Sequence, residues 1–333
     1  MLRTPLCDRL GLSRPIVQAP MGGAGGPRLA AAVAEAGGLG MLPLWRAAPK
    51  ELRAAVQQTR KATSRPFGVN LNLQFPQEAL LEACLEESVP VISFFWGDPG
   101  PMARRARDAG AVVMSSVGDA DTARRHVDEG AEVIVAQGWE AGGHVRGMVA
   151  TLPLVPTVVD AVGPEVPVIA AGGIADGRGL AAVLMLGAQA AWIGTRFLSA
   201  EEAGIHPEYV RRLLESGETA TVHLENLFDV GWPDAPHRAL RNSTVDAWEA
   251  AGRPPPGDRP GEGETIATSP SRGEIVRYRT WTPTPEDEGE IEALSMWAGQ
   301  GVGLVRRVQP AAEIVDEIMA GAEAALKRHL GSY

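Results

Sequence analysis

From Ile16 to Ile193 the chain alternates short apolar runs, rich in valine and isoleucine, with alanine-rich stretches whose apolar positions recur at helical spacing. This alternation predicts βα units. Strands are expected at Ile16–Pro20, Leu39–Leu44, Phe67–Leu73, Val91–Phe95, Val112–Val117, Val133–Gln137, Val168–Ala171 and Ala191–Ile193. Helices are expected between them at Pro27–Ala36, Pro49–Thr63, Gln77–Glu87, Gly100–Asp108, Asp119–Glu129, Leu152–Val162 and Gly177–Leu186. Eight nearly continuous apolar strands in about 200 residues are what a parallel sheet covered on both faces requires, so the expected fold is α/β, a (β/α)8 TIM barrel. An open doubly wound sheet would carry G-x-G-x-x-G after its first strand and an acid at the end of its second. Here the first strand runs into APMGGAGG and no acidic residue closes the second.

Beyond Leu198 the rhythm changes. HPEYVRRLLESG reads as a helix starting near Pro207, and from Asn226 to Gly289 the chain fills with proline, glycine and charge, as in RPPPGDRPGEGE. A proline run cannot lie inside a helix or a central strand, so this part is expected to form a smaller inserted lid or substrate domain, anchored by helices and loosest over Arg253–Gly263. Apolar character returns at IEALSMWAGQGVGLV, and Ala311–Leu330 has the amphipathic spacing of a closing helix. The expected organisation is a barrel over 1–205, a lid over 206–295 and a C-terminal return over 296–333.

Composition narrows the function classes. At 333 residues and 45% hydrophobic, the chain has enough apolar material for one large core. A net charge of −10 without a basic stripe argues against nucleic acid and against an anionic membrane surface as partners. No apolar run approaches a membrane span, and the N-terminus lacks the apolar core of a leader peptide. Cys7 and Cys84 are far apart and form neither a disulfide framework nor a zinc pattern, so a reducing cytoplasm is expected and no metal is.

In a (β/α)8 barrel the site lies at the carboxyl ends of the strands. Those positions hold Ala19, Pro20, Met21, Gly22 and Gly23; Asn70 and Asn72; Ser115 and Ser116; Gln137 with the loop QGWEAGGHVRG; Gly172 and Gly173; and Gly194 and Thr195. The last two loops, AAGGIADGRG and WIGTR, suit a phosphate held by backbone N–H groups. A phosphate site with Asn and Gln amides and few fixed charges points to flavin mononucleotide (FMN). Sugar phosphates compete as ligands, but they call for a lysine or paired carboxylates, which are scarce at these strand ends. His144 follows two glycines in the sixth of these loops. A lone loop histidine is ordinarily solvated or hydrogen-bonded, yet this one stands where a barrel places its chemistry and carries the side chain that titrates nearest neutrality.

The segments QAPMGG at 18–23, AGGLG at 36–40, GVNLN at 68–72, QGWEAGGH at 137–144, IAAGGIADGRG at 169–179, IGTRFL at 193–198 and AGQGVGL at 298–304 together resemble the nitronate monooxygenase family, formerly called 2-nitropropane dioxygenases. The resemblance runs in order along most of the chain. It implies an FMN-dependent barrel that oxidises alkyl nitronates, and also nitroalkanes, with dioxygen to a carbonyl compound and nitrite. It implies that His144 is the catalytic residue, as a base or as the group that orients the nitronate. Ala19, Pro20, Met21, Asn70, Gln137, Gly142 and Gly143 would hold the flavin, while Gly172, Gly173, Trp192, Ile193, Gly194 and Thr195 would bind its ribityl phosphate end. Gln137 also reads as a structural amide closing the loop, and Glu140 as a surface or supporting carboxylate. Arg146, where a small residue is common, and Ser116, where some relatives carry lysine, depart from the pattern. The lid matches no motif and is the part expected to select the substrate.

The expected partners are therefore a small nitronate-like substrate and dioxygen, with a homodimer as an allowed assembly. The same superfamily includes FMN-dependent NAD(P)H reductases of quinones or of enoyl-acyl-carrier protein, which share the barrel and a similar Gly-His loop. A flavin-binding protein without turnover, or a sugar-phosphate isomerase, is the alternative from another class.

Overall fold

The computed structural model describes residues 2–330. Parallel strands Ile16–Gln18, Gly40–Pro43, Phe67–Asn72, Val91–Phe95, Val112–Val117, Val133–Gln137, Val168–Ala171 and Ala190–Ile193 pair in chain order, and the last pairs with the first. A parallel bridge between Val17 and Leu39 joins the first strand to the second and closes the ring. The fold is a TIM barrel. The first strand stops at Gln18, short of the expected Pro20, because proline has no N–H to continue a ladder.

Outward-facing strand residues such as Ile134, Ala136, Ala170 and Ile193 pack with Leu29, Val33, Leu154 and Leu180 of the surrounding helices. Helix starts follow local chemistry. Pro27 and Pro49 open two helices at the position where a missing N–H costs nothing, and Asp119 and Asp176 cap two others by accepting from the N–H groups of Thr122 and of Arg178 and Gly179. The closing helix Ala311–Leu330 lies against helix Gly177–Met185 with Gly177 close to the backbone of Gly321 and Ala322.

A short helix, Pro5–Leu10, was not evident in the sequence pattern. It buries Leu6, Cys7 and Leu10 against the inward-facing Val17, Met41, Val91, Met114 and Val133, and so plugs the amino-terminal end of the barrel. Gln189 fixes it, its side-chain oxygen accepting from the Leu6 N–H and its carbonyl from the Thr4 hydroxyl.

The lid differs from expectation. Helices Pro207–Glu215 and Ser243–Ala250 are present, but most of the lid is built on two small antiparallel sheets. One orders Thr221–Leu224, His237–Leu240 and Gly143–His144; the other orders Gly273–Val276, Thr265–Ser269 and Glu288–Gly289. Residues 143–144 thus belong to the barrel's sixth loop and to the lid sheet at once. The segment 253–263, expected to be the loosest, is gathered around a buried arginine: Arg259 lies 4.3 Å over the Tyr278 ring and donates to Asp229 (2.7 Å), to the Leu227 carbonyl (2.9 Å) and to Glu262. No helix among the described residues is long and apolar enough to cross a membrane.

Asp229 is 7% exposed, and without Arg259 its charge would be stranded. Arg259→Ala is expected to cost about 3–5 kcal/mol, the usual penalty for an orphaned buried charge, read as a lower midpoint in urea denaturation; an unchanged midpoint would contradict the role given to this pair.

Candidate active site

The carboxyl ends of the strands open into a cavity of about 600 Å³, roofed by the lid. Of the residues named from the sequence, Ala19, Pro20, Met21, Asn70, Gln137, Gly142, Gly143, His144, Gly172, Gly173, Trp192, Gly194 and Thr195 line it. Ile193 does not. Side chains alternate along a strand, so with Trp192 facing inward Ile193 points into the layer between strands and helices. The same parity separates Ser116, on the wall, from Ser115, whose hydroxyl is 2.8 Å from Nδ1 of His126 in the outer layer. Asn72 is buried off the wall, its Oδ1 accepting from the Gln74 N–H.

The loop carrying His144 is held at several points. Gln137 closes it by donating from Nε2 to the His144 carbonyl (3.1 Å), while keeping its place on the wall. Glu140 faces away from the histidine: its carboxylate accepts from the N–H (2.8 Å) and hydroxyl (3.0 Å) of Thr151, at the start of helix Thr151–Val162. Gly142 approaches the return segment so closely that a Cβ there would lie 2.4 Å from the Gly299 nitrogen. Only glycine permits that backbone contact. His144 then pairs in register with His237, and Gly143 with Arg238, in the lid sheet. Arg146 is exposed and takes no part in the wall.

Around His144 stands an aromatic cage that sequence reasoning missed, with Trp232 from the lid, Trp297 from the return segment and Trp96 from the end of the fourth barrel strand. Trp232 stacks on the imidazole with ring centroids 3.7 Å apart, Trp297 lies at 5.2 Å and Trp96 meets it edge-on at 6.1 Å. Trp96 adopts a φ of +61°, a conformation a bulky side chain holds only under packing constraint, and its own edge contact with Trp232 supplies one. A signal was available: the chain has 8 Trp against 6 Phe and 3 Tyr, and Trp45, Trp192, Trp232, Trp281 and Trp297 all line the cavity.

Electrostatically the cage keeps its histidines neutral. Burial, then His237 and Arg46, holds the His144 pKa well below the usual imidazole value. Its Nε2 is shielded from solvent and has no hydrogen-bond partner in the protein, a buried polar atom left unsatisfied. His237 is fully paired: Nδ1 is 2.9 Å from the Ala235 carbonyl and Nε2 accepts from the Phe228 N–H, which assigns the proton to Nδ1. Burial brings its pKa down to about 4.

The remaining wall has the chemistry of a flavin site. Gly172 and Gly173, with φ of +106° and +71°, and Gly194 present bare backbone on one side, joined by Gly299 and Gly301. The Thr195 hydroxyl accepts from the Gly299 N–H (2.9 Å) and keeps its own proton to donate. Asn70, fixed by donating to the Ser93 carbonyl and hydroxyl, and Gln137 offer amides elsewhere on the wall. The sequence model of the nitronate monooxygenase family matches residues 3–321.

The chain belongs to the nitronate monooxygenase family. It is an oxidoreductase and, with its family, a flavoprotein. It is 31% identical to the nitronate monooxygenase of Paraburkholderia phytofirmans, over 94% of this chain and 93% of the other. It is 41% identical, over 76% of this chain and 70% of the other, to the Mycobacterium tuberculosis protein named (3aS,4S,5R,7aS)-5-hydroxy-7a-methyl-1-oxo-octahydro-1H-indene-4-carboxyl-CoA dehydrogenase. Among solved structures, FabK from Thermotoga maritima superposes with a TM-score of 0.83 at 32% identity, covering 100% of both chains.

The neutral, buried His237 has a consequence for stability. The unfolded ring titrates near 6.5 and the folded one near 4, so between these values the unfolded chain binds more protons. Its contribution is full above about pH 6.5 and is lost as the pH falls towards 4, on the order of 3 kcal/mol in total. The urea midpoint is expected to drop between pH 7 and pH 5, with a shallower slope in His237→Gln; equal slopes would remove His237 as the cause.

Proposed function

We propose that the chain is an FMN-dependent oxidase of carbon acids, acting on alkyl nitronates and nitroalkanes with dioxygen as oxidant, and that His144 handles the substrate proton. The observation that carries this reading is the unpartnered, desolvated Nε2 of a neutral His144, stacked on Trp232 in the wall of the cavity. Gly172, Gly173, Gly194 and Thr195 would receive the phosphate end of FMN, and Met21, Asn70, Gln137 and Gly142 its ring. When bound, FMN supplies the electron transfer and the reaction with dioxygen.

The protein's part follows from its side chains. Nε2 of a neutral imidazole accepts the proton from the carbon next to the nitro group. The positive charge then formed lies against the face of Trp232 and beside the anion just produced, two interactions absent before the transfer. The closed tryptophan cage keeps water from competing for that proton. The buried, free thiols Cys7 and Cys84 suit a reducing cytoplasm.

A second reading, oxidation or reduction of an acyl thioester, has its own support. A relative at 41% identity is named for a carboxyl-CoA substrate, and the tryptophans of the wall offer apolar surface to an acyl chain. A thioester also acidifies the neighbouring carbon, so His144 would play the same part.

His144→Ala is expected to slow flavin reduction by a neutral nitroalkane on the order of 100-fold, and by the pre-ionised nitronate much less, because only the first needs a base. Stopped-flow reduction of purified enzyme with each substrate, and with NADH in parallel, reads this directly. Equal rates in wild type and variant would make His144 structural, and reduction by NADH alone would replace oxidation with a reductase.

A further inference from the structure

Two guanidiniums meet at Gly231, one of them in the cavity wall. Arg46 follows the second barrel strand and lines the cavity; Arg279 comes from the lid. A methyl group on Gly231 would touch both, 3.7 Å from Arg46 Nη1 and 3.7 Å from Arg279 Cζ. Neither guanidinium lies within 4.0 Å of a carboxylate among the described residues. Arg259 and Arg272 of the lid differ, Arg259 being paired with Asp229 and Glu262 and Arg272 with Asp287.

Two like charges this close repel, and partial burial adds to the cost. Both effects push the Arg46 pKa down, burial first and Arg279 second, with no acidic group to offset them. The pair is held by contacts that fix its position without neutralising it. Arg46 donates to the Gly231 carbonyl (2.9 Å) and lies 4.9 Å over the Phe75 ring, and Arg279 lies 4.0 Å over the Trp281 ring. Arg279 Nε is shielded from solvent without a partner. Positioned, unneutralised guanidiniums with open donors are the arrangement that receives a phosphate.

We infer that Arg46 and Arg279 form an anion seat at the mouth of the cavity, which takes the phosphate-bearing tail of a long substrate or co-substrate whose reactive end reaches His144. This phosphate is separate from that of the flavin, whose cradle lies at Gly172–Gly173 and Thr195. Two sources share the chemistry, the coenzyme A part of an acyl thioester and a nicotinamide dinucleotide; a small nitronate has no such tail. The inference rests on the proposed function only in placing substrate entry at this mouth.

The test is equilibrium binding to the flavin-loaded enzyme, by calorimetry and by perturbation of the flavin spectrum, with coenzyme A, with pantetheine, which lacks the phosphates, and with NADH. Coenzyme A is expected to bind at least tenfold more tightly than pantetheine and to weaken with added salt. Arg46→Ala and Arg279→Ala should each weaken it on the order of tenfold, leaving pantetheine binding, flavin content and thermal midpoint unchanged. Arg46→Lys should recover part of the loss. If the Arg-dependent ligand is NADH instead, the seat stands and its source is the dinucleotide. Binding of both ligands that ignores these substitutions, or no binding of either to wild type, overturns the proposal. Arg-dependent coenzyme A binding in an enzyme that oxidises no nitronate would keep the seat and dismiss the nitronate reading; nitronate turnover without such binding would do the reverse.

Discussion

The antiparallel pairing of Gly143–His144 with His237–Arg238 is the constraint on which the site depends. A two-residue strand has little stability of its own, and this one exists because a lid strand from nearly a hundred residues later gives it backbone partners. The pairing sets the direction of the imidazole, brings Trp232 and Trp297 to its faces and removes it from bulk water. His237 can occupy the facing position because both of its ring nitrogens are satisfied by backbone groups, so it adds no charge beside its neighbour. The backbone contact between Gly142 and Gly299 seals the other side of the same loop. The pocket around His144 is therefore a joint product of barrel and lid.

Much of the barrel was legible in the sequence because a strand buried on both faces leaves a continuous apolar run. Val91–Phe95, Val112–Val117, Val133–Gln137 and Val168–Ala171 have the bounds read from the pattern. Helix Pro5–Leu10 was not legible, since six residues are too few for a period to emerge. The lid strands were hidden for a related reason: they are two to five residues long and half polar, as in HRAL, and their partners are remote in sequence. On the cavity, the rule that strand ends carry function led to much of the barrel side of the wall and to none of the lid side. Ile193 lies off the wall because strand alternation turns its side chain outward. Trp96, Trp232 and Trp297 were missed because they lie in loops whose positions only the tertiary fold defines.

Charge shows the same division between global and local. A net charge of −10 suggests a surface that turns anions away, yet around the mouth the arginines dominate. Some are spent on internal architecture, clamped to Asp229 or Asp287. Others lie over aromatic rings with no carboxylate partner, an arrangement that holds a guanidinium in place without neutralising it. Composition averages over these cases.

The helix that stoppers the barrel floor bears on how the chamber is reached. With Leu6, Cys7 and Leu10 packed into the far end, molecules reach the chamber from the lid side. Whatever enters the chamber and whatever leaves it therefore shares one side of the protein, and the lid stands across all of that traffic.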